Sequence, residues 1–226
     1  MMGAPHGDRV RSRAGYVVPR RRMIERLRQD GVEDPRVLEA LGSVPRHDLV
    51  PEVLRGDAYR DVALPIGEGQ TISAPGVVAA MSQALQLEGH ETVLEIGTGS
   101  GYQAAVLSRL AARVVSIERV PRLASSARRV LDGLRVSNVV VYLGDGTRGR
   151  ESDAPYDAIV VTAGGPQVPR PLLEQLSVGG RLVGPFGTRQ EQRLLRVRCV
   201  APGEFAEEVI GRCRFVDLIG AHGWVA

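Results

Sequence analysis

Short apolar runs rich in valine and isoleucine alternate with amphipathic segments along the C-terminal two thirds of the chain. Five runs have the length of buried β-strands: residues 92–97, 114–118, 139–145, 156–163 and 180–187. Segments with helical spacing lie between them, at residues 102–111, 121–134 and 169–177. Buried strands that alternate with helices form parallel β-α-β units. The pattern predicts an α/β fold with a Rossmann-like, doubly wound, mostly parallel sheet.

The two ends of the chain have different patterns. Residues 193–219 alternate with period two, which predicts antiparallel strands at the C-terminal end. The N-terminal part is helical: one helix is predicted over residues 19–29, a second over residues 34–44, and a third from near Ser73 to residue 87. We therefore expect an N-terminal helical cap on the sheet.

These patterns divide the chain into three segments within a single compact domain. They are a flexible, Arg-rich tail (residues 1–18), the helical cap with a candidate active-site turn (19–88), and the Rossmann-like core with a C-terminal substrate-lining segment (89–226).

Composition narrows the class of protein. Hydrophobic residues make up 43% of the chain, and the net charge is +3. All the Lys-or-Arg positions are Arg, and most are scattered among acids, so we expect no nucleic-acid partner. The two cysteines form no C-x-x-C pair and the histidines are not spaced as ligands, so no metal site is predicted. We found neither an apolar run long enough to span a membrane nor a signal peptide, and we expect a cytoplasmic protein without membrane association.

A glycine-rich sequence follows the first of the predicted sheet strands, in "VLEIGTGSGYQAA". Gly97, Gly99 and Gly101 allow a sharp turn and a close approach of backbone to ligand. Their spacing is G-x-G-x-G, whereas dinucleotide sites have G-x-G-x-x-G. Glu95, at the strand end, would repel a pyrophosphate but suits a positively charged amino group.

Two more acids follow the next two predicted strands. Glu118 comes 19 residues after Gly99, where a carboxylate can accept hydrogen bonds from both ribose hydroxyls. Asp145 follows the third strand and is placed to accept the exocyclic amine of adenine. Because the carboxyl ends of parallel strands meet at one edge of a sheet, we expect the glycine-rich loop and these acids to lie together. Their order along the chain predicts a class I S-adenosylmethionine-dependent methyltransferase.

Several stretches resemble the protein-L-isoaspartate O-methyltransferase family, from about residue 19 to residue 224. They include "VPRHDLVP", "DAYRDVALPIGEGQTIS", "VLEIGTGSGYQAAVLS", "LGDGTRG", "APYDAIVVTA" and "RFVDLIGAHGW". The resemblance implies a carboxyl O-methyltransferase that uses S-adenosyl-L-methionine. Its acceptor would be the free α-carboxylate of isoaspartyl residues in damaged proteins and peptides, and methylation would initiate repair through a succinimide. We expect it to act as a monomer.

The resemblance also implies site residues. In the family, the turn equivalent to residues 70–73 lies over the sulfonium, and the serine equivalent to Ser73 is taken as the active-site residue. The expected cofactor contacts are Thr71, Ile72, Glu95, Gly97, Thr98, Gly99, Ser100, Glu118, Asp145 and Gly146. The expected substrate-lining residues are Ala58, Tyr59, Val216 and Leu218. Two positions depart from the family pattern: Asp217, where proline is usual, and Gly76, where a larger residue is common.

The chemistry of the acceptor is compatible with these residues. An α-carboxylate is already ionised at neutral pH, so no general base is required, in agreement with the absence of histidine from this turn. The enzyme must mainly position the acceptor, and hydroxyl and N–H donors at residues 71–73 are suited to that task. Ser73 has an alternative role as the N-cap of the third helix, with Pro75 in its first turn.

Other functions stay open from the residues alone. A biosynthetic relative would methylate one dedicated peptide to form an aspartimide, and a relative with another acceptor would methylate a different carboxylate. Methyltransferases that act on exocyclic amines of nucleic acids often carry an Asn/Asp-Pro-Pro-aromatic motif after the fourth strand, where this chain has "VTAGGP". A non-enzymatic protein that binds the cofactor and damaged chains is a third possibility.

Overall fold

The N-terminal part of the chain forms a layer of helices and one β-hairpin. The computed structural model describes residues 15–225. Asp34 accepts a hydrogen bond from the backbone N–H of Arg36, so the second helix begins as its sequence predicts. The elements of this layer are α1 (Val17–Gln29), α2 (Pro35–Ser43), two 3-10 helices (Arg46–Leu49 and Glu52–Asp57), β1 (Leu64–Gly67), β2 (Gln70–Ile72) and α3 (Pro75–Ala84).

Three boundaries in this layer differ from the sequence-based expectations. Helix α1 begins at Val17, so the last two residues of the predicted flexible tail are helical, while residues 1–14 lie outside the described residues. The segment before α3 forms a two-stranded antiparallel hairpin, an element that the patterns described above did not predict. Helix α3 begins at Pro75, two residues after Ser73 and close to its predicted start, but it ends at Ala84 and not at residue 87.

A seven-stranded sheet forms the centre of the described structure. Its strands are β3 (Thr92–Ile96), β4 (Arg113–Glu118), β5 (Val139–Leu143), β6 (Tyr156–Val161), β7 (Leu176–Gly187), β8 (Gln192–Ala201) and β9 (Glu204–Cys213). The spatial order is β5-β4-β3-β6-β7-β8-β9. The first five strands in this order are parallel, and β8 and β9 are antiparallel additions. The predicted α/β class, with its antiparallel C-terminal strands, is confirmed.

Helices connect the parallel strands across the two faces of the sheet. They are α4 (Tyr102–Leu107), α5 (Pro121–Gly133) and α6 (Arg170–Glu174). Helix α6 is shorter than the helix predicted over residues 169–177. The reason is that β7 already begins at Leu176, where it pairs with Tyr156 at the start of β6.

Buried side chains form two clusters. One joins the N-terminal layer to the sheet, because Met23 and Leu41 of the helices share it with Val93 and Val114 of the strands. The other includes Leu94 and residues of the β7–β8 region. The N-terminal layer therefore packs into the same core as the sheet. Within residues 15–225, no helix has the length and apolar character needed to cross a membrane.

Candidate active site

A cleft lies at the carboxyl ends of the parallel strands, and two other parts of the chain also line it: the β1–β2 hairpin and the C-terminal segment that follows β9 (residues 214–225). The empty space within it is about 820 Å³, part of which is open to solvent. The residues that line it are 70–73, 97–100, 117–120, 162–163 and 216–219, with Val78, Ile96, Tyr102, Gln103 and Gly146.

Most of the expected site residues meet in this cleft. Those that line it are Thr71, Ile72, Ser73, Gly97, Thr98, Gly99, Ser100, Glu118, Gly146, Val216 and Leu218. Four expected residues lie elsewhere: Glu95, Asp145, Ala58 and Tyr59 are not among its lining residues.

The glycine-rich loop has the backbone that its sequence requires. Gly97 and Gly99 have φ angles of 95° and 54°, in the left-handed region that favours glycine. A Cβ at Gly97 would lie 2.5 Å from the Thr162 Oγ1. Thr162 also lines the cleft, and its hydroxyl donates to the backbone oxygens of Ile96 and Gly97 at 2.9 and 2.6 Å. The sequence analysis did not single out Thr162, although a hydroxyl directly after the fourth sheet strand was a usable signal.

Glu118 is held against this loop. One carboxylate oxygen accepts from the backbone N–H of Gly99 at 2.8 Å, and the other accepts from the N–H of Val120 at 2.9 Å. Each oxygen keeps a lone pair for a further donor. The carboxylate is therefore fixed at the cleft wall and can accept hydrogen bonds from a vicinal diol.

Glu95 lies behind the loop and not at its surface. The side chain is completely buried on β3 and accepts a hydrogen bond from the hydroxyl of Ser116 on β4. Burial, with an added contribution from the negative Glu118, raises the pKa of Glu95 to about 8 against the opposing Ser116 hydrogen bond. The Ser116 hydroxyl also lies 2.6 Å from that of Thr98, which does line the cleft. Any effect of Glu95 on a ligand is therefore indirect.

Asp145 binds the C-terminal segment. One oxygen accepts from the N–H and the hydroxyl of Thr147 at 2.9 and 2.7 Å, and the other accepts from the N–H of Ala221 at 2.8 Å. Although partial burial opposes ionisation, these donors and the nearby Arg148 hold the pKa of Asp145 below its usual range. Only its neighbour Gly146 lines the cleft. Asp145 therefore anchors the C-terminal segment, and its expected contact with adenine stays a prediction.

The hydroxyl-bearing residues Thr71 and Ser73 lie on the second strand of the hairpin, β2, and directly after it, at the cleft wall. Pro65 pairs with Thr71, and the tight turn has positive φ angles at Glu68 and Gly69. Ser73 follows the second strand at the cleft wall, and no hydrogen bond of its hydroxyl is found among the described residues.

Ser73 does not cap helix α3. The N-cap is Ala74, without a side-chain cap, and Asp61 accepts a hydrogen bond from the backbone N–H of Gly76 at 2.7 Å instead. A Cβ at Gly76 would lie 2.9 Å from an oxygen of Asp61, so a larger residue here would displace that carboxylate. Because Asp61 satisfies the helix start, the Ser73 hydroxyl stays available to a ligand.

Ala58 and Tyr59 belong to the interior of the N-terminal layer. The Ala58 carbonyl accepts from the Nε of the buried Arg46 at 2.7 Å. The Tyr59 hydroxyl accepts from the Nε of Arg20 at 3.1 Å and lies 2.7 Å from the Nδ1 of His47. These residues stabilise the layer that carries the hairpin.

Comparison with solved structures defines the class of protein. The fold matches a protein-L-isoaspartate O-methyltransferase with a TM-score of 0.82 and 30% identity, over 90% of this chain and 67% of that chain. A putative protein-L-isoaspartate O-methyltransferase from Plasmodium falciparum, solved in complex with S-adenosyl-L-homocysteine, has a TM-score of 0.76 and 22% identity over 87% of this chain and 96% of that chain. The chain has the fold of a Rossmann-like methyltransferase.

Sequence comparisons define the family. The model of the protein-L-isoaspartate(D-aspartate) O-methyltransferase family matches residues 19–223. The protein-L-isoaspartate O-methyltransferase of Syntrophus aciditrophicus is 53% identical over 208 residues, 91% of this chain and 95% of that protein. That of Syntrophotalea carbinolica is 54% identical over 210 residues, 92% of this chain and 97% of that protein. The chain therefore belongs to this family of S-adenosylmethionine-dependent carboxyl O-methyltransferases, and the predicted family, enzyme class and cofactor are confirmed.

Proposed function

We propose that this chain methylates the α-carboxylate of isoaspartyl residues in damaged proteins and peptides, and that Ser73 is its active-site residue. One observation carries the proposal. The hairpin places Thr71 and Ser73 on the same cleft as the glycine-rich loop and Glu118. A donor of methyl groups and an anionic acceptor can therefore meet between the two walls.

The cleft fits S-adenosylmethionine, which supplies a methyl group on a positively charged sulfur. Glycines with positive φ give the loop its sharp turn, and a Cβ at Gly97 would collide with the Thr162 hydroxyl. The fixed Glu118 carboxylate matches a pair of ribose hydroxyls. We assign the loop residues Thr98 and Ser100, with Gly146, to the walls around the nucleoside, and Thr71 and Ile72 to the opposite wall.

Ser73 and its neighbours act on the acceptor. The Ser73 hydroxyl is assigned to donate a hydrogen bond to one oxygen of the acceptor carboxylate and so to orient the other. No proton has to be removed, because the acceptor is already an anion at neutral pH. Val216 and Leu218 line the remaining wall with apolar surface, which limits water around the reacting groups.

We also propose the class of acceptor, the cellular location and the oligomeric state of the enzyme. The surface supports a protein acceptor and not a nucleic acid, because many arginines are paired with acids, as Arg196 is with Glu208 and Arg170 with Glu174. We propose a cytoplasmic monomer in which the helical cap, the core and the C-terminal segment form one domain.

The direct test uses an isoaspartyl peptide, its aspartyl twin and labelled S-adenosylmethionine. We expect label in the isoaspartyl peptide alone; equal labelling of both peptides, or of neither, refutes the proposal.

A Ser73→Ala variant tests the assigned role. It should keep its affinity for S-adenosylhomocysteine and lose about 10- to 100-fold in kcat/KM, since one hydrogen bond to a charged group is removed. The matched control is Ser125→Ala on the exposed side of α5, which should behave as wild type. Wild-type turnover in Ser73→Ala would remove this residue from the reaction.

A further inference from the structure

A charged pair lies on the cleft wall formed by the C-terminal segment. Asp217 lines the cleft, and its Oδ2 accepts a hydrogen bond from the Nε of Arg189 at 2.7 Å. The Arg189 guanidinium also lies over the ring of Trp224, 4.6 Å from its centroid. Arg189 is thus held between a cleft carboxylate and an aromatic face.

The turn that carries Arg189 is fixed by its own hydrogen bonds. It joins β7 to β8, and the N–H of Thr188 donates to the Glu191 oxygen at 2.9 Å while the N–H of Glu191 donates to the Thr188 hydroxyl at 3.0 Å. The N–H of Gly187 donates to the Gly165 oxygen at 3.0 Å. Arg189 therefore projects from an anchored turn and not from a free loop.

The backbone around Asp217 does not depend on Arg189. The N–H of Leu218 donates to the Gly164 oxygen at 2.8 Å, and the N–H of Gly164 donates to the Val216 oxygen at 2.7 Å. The Trp224 indole N–H donates to the same Gly164 oxygen at 2.9 Å. The ion pair itself is partly exposed, with 50% of the Arg189 side chain and 31% of the Asp217 side chain accessible, so it contributes little to folding stability.

The Arg189–Asp217 ion pair matters more for the charge of the cleft than for folding stability. Among the described residues, the cleft-lining side chains that carry a charge at neutral pH are Glu118, Arg119 and Asp217. Glu118 is engaged by backbone donors at the nucleoside wall, whereas Asp217 belongs to the wall that carries Val216 and Leu218. An uncompensated carboxylate on that wall would repel an anionic acceptor.

We propose that Arg189 is a charge-compensating residue for acceptor binding: it neutralises Asp217 so that a carboxylate substrate can enter the cleft. This inference rests on the proposed function, because it requires an anionic acceptor. Arg189 acts through Asp217 and does not contact the reacting atoms.

The test measures isoaspartyl-peptide binding to the enzyme loaded with S-adenosylhomocysteine, together with steady-state turnover. Arg189→Gln should weaken peptide binding and raise KM by about fivefold at low ionic strength, with kcat and S-adenosylhomocysteine affinity unchanged. The defect should shrink in high salt, because mobile ions screen the freed Asp217. Arg193→Gln, which removes the same charge from the exposed face of neighbouring β8, is the control and should leave KM unchanged.

The double variant Arg189→Gln/Asp217→Asn separates compensation from a structural role. If Arg189 acts by neutralising Asp217, removing both charges should restore KM to near the wild-type value. If Arg189 instead holds the C-terminal segment in place, the double variant should be at least as impaired as Arg189→Gln. Trp224 is the only tryptophan in the chain, so its emission reports whether the segment stays packed in each variant.

Each outcome has one meaning. An unchanged KM in Arg189→Gln, or no recovery in the double variant, overturns the inference. Wild-type protein that binds the isoaspartyl peptide without methylating it overturns the proposed function, while the binding series still decides the inference. Protein that neither binds nor methylates the peptide overturns both.

Discussion

The buried Glu95 should make folding stability depend on pH. Burial raises the pKa of its carboxyl from 4.5 to about 8, so the folded protein keeps this carboxyl protonated at neutral pH while the unfolded chain ionises it. Between these two pKa values the unfolded state binds fewer protons than the folded state, and stability falls as pH rises. The stability that Glu95 contributes is therefore fully present below about pH 4.5 and is lost as pH rises to about 8.

The size of this pH effect on the free energy of unfolding follows from the shift in the pKa of Glu95. One pKa unit corresponds to about 1.4 kcal/mol, so the loss amounts to about 1.4 kcal/mol per pH unit between the two pKa values and about 5 kcal/mol in total. Glu95→Gln keeps the size of the side chain and removes the ionisation. The difference in unfolding free energy, wild type minus Glu95→Gln, should therefore become steadily more negative across this range and level off above pH 8.

Urea denaturation at pH 5, 6, 7 and 8 measures this difference. The control is Glu207→Gln on the exposed surface of β9, which should differ from wild type by an amount independent of pH. A pH-independent difference for Glu95→Gln as well would refute the reasoning, since it would mean that Glu95 has the same pKa in the folded and unfolded states.

Three further predictions concern groups that shape the cleft. Gly97→Ala should weaken S-adenosylhomocysteine binding at least tenfold by calorimetry, because its φ of 95° and the contact with Thr162 exclude a Cβ; unchanged affinity would contradict this. Asp61→Ala should lower the free energy of unfolding by about 1 kcal/mol through loss of its hydrogen bond to Gly76, and equal stability in urea would count against that capping role. Asp145→Ala should expose the C-terminal segment to faster amide hydrogen exchange; wild-type protection there would show that the segment is held without it.

Local patterns predicted much of the fold. The run that forms β3, from Thr92 to Ile96, is apolar apart from its first residue and Glu95, as expected for a strand covered on both faces. The helix that begins at Pro35 follows from Asp34 at its N-cap, from proline at its first position and from the helical spacing of its apolar residues. Helix α6 was predicted too long because its last residues prefer a helix locally, yet Leu176 gains a strand partner that is distant in sequence.

The candidate site was predictable to the extent that it depends on local backbone geometry. The glycine-rich loop, Glu118 and the hairpin residues before α3 line one cleft because each follows directly from a strand end or a tight turn. The face of the sheet to which the Glu95 side chain points and the hydrogen-bond partners of Asp145 were not predictable in the same way. A side chain at a strand end points to the cleft or into the core according to what packs on that face, and the Ala221 N–H that binds Asp145 comes from the far end of the chain.

The sequence by itself determined the order of strands and helices, the glycine-rich loop and the family, because those depend on hydrophobic periodicity and on residues close together along the chain. Only the tertiary structure decided that Asp61 and not Ser73 satisfies the start of α3, that Asp145 anchors the C-terminal segment, and that Arg189 pairs with Asp217. The physical reason is that these contacts join residues 15, 76 and 28 positions apart, and folding of the whole chain brings their atoms within hydrogen-bond distance.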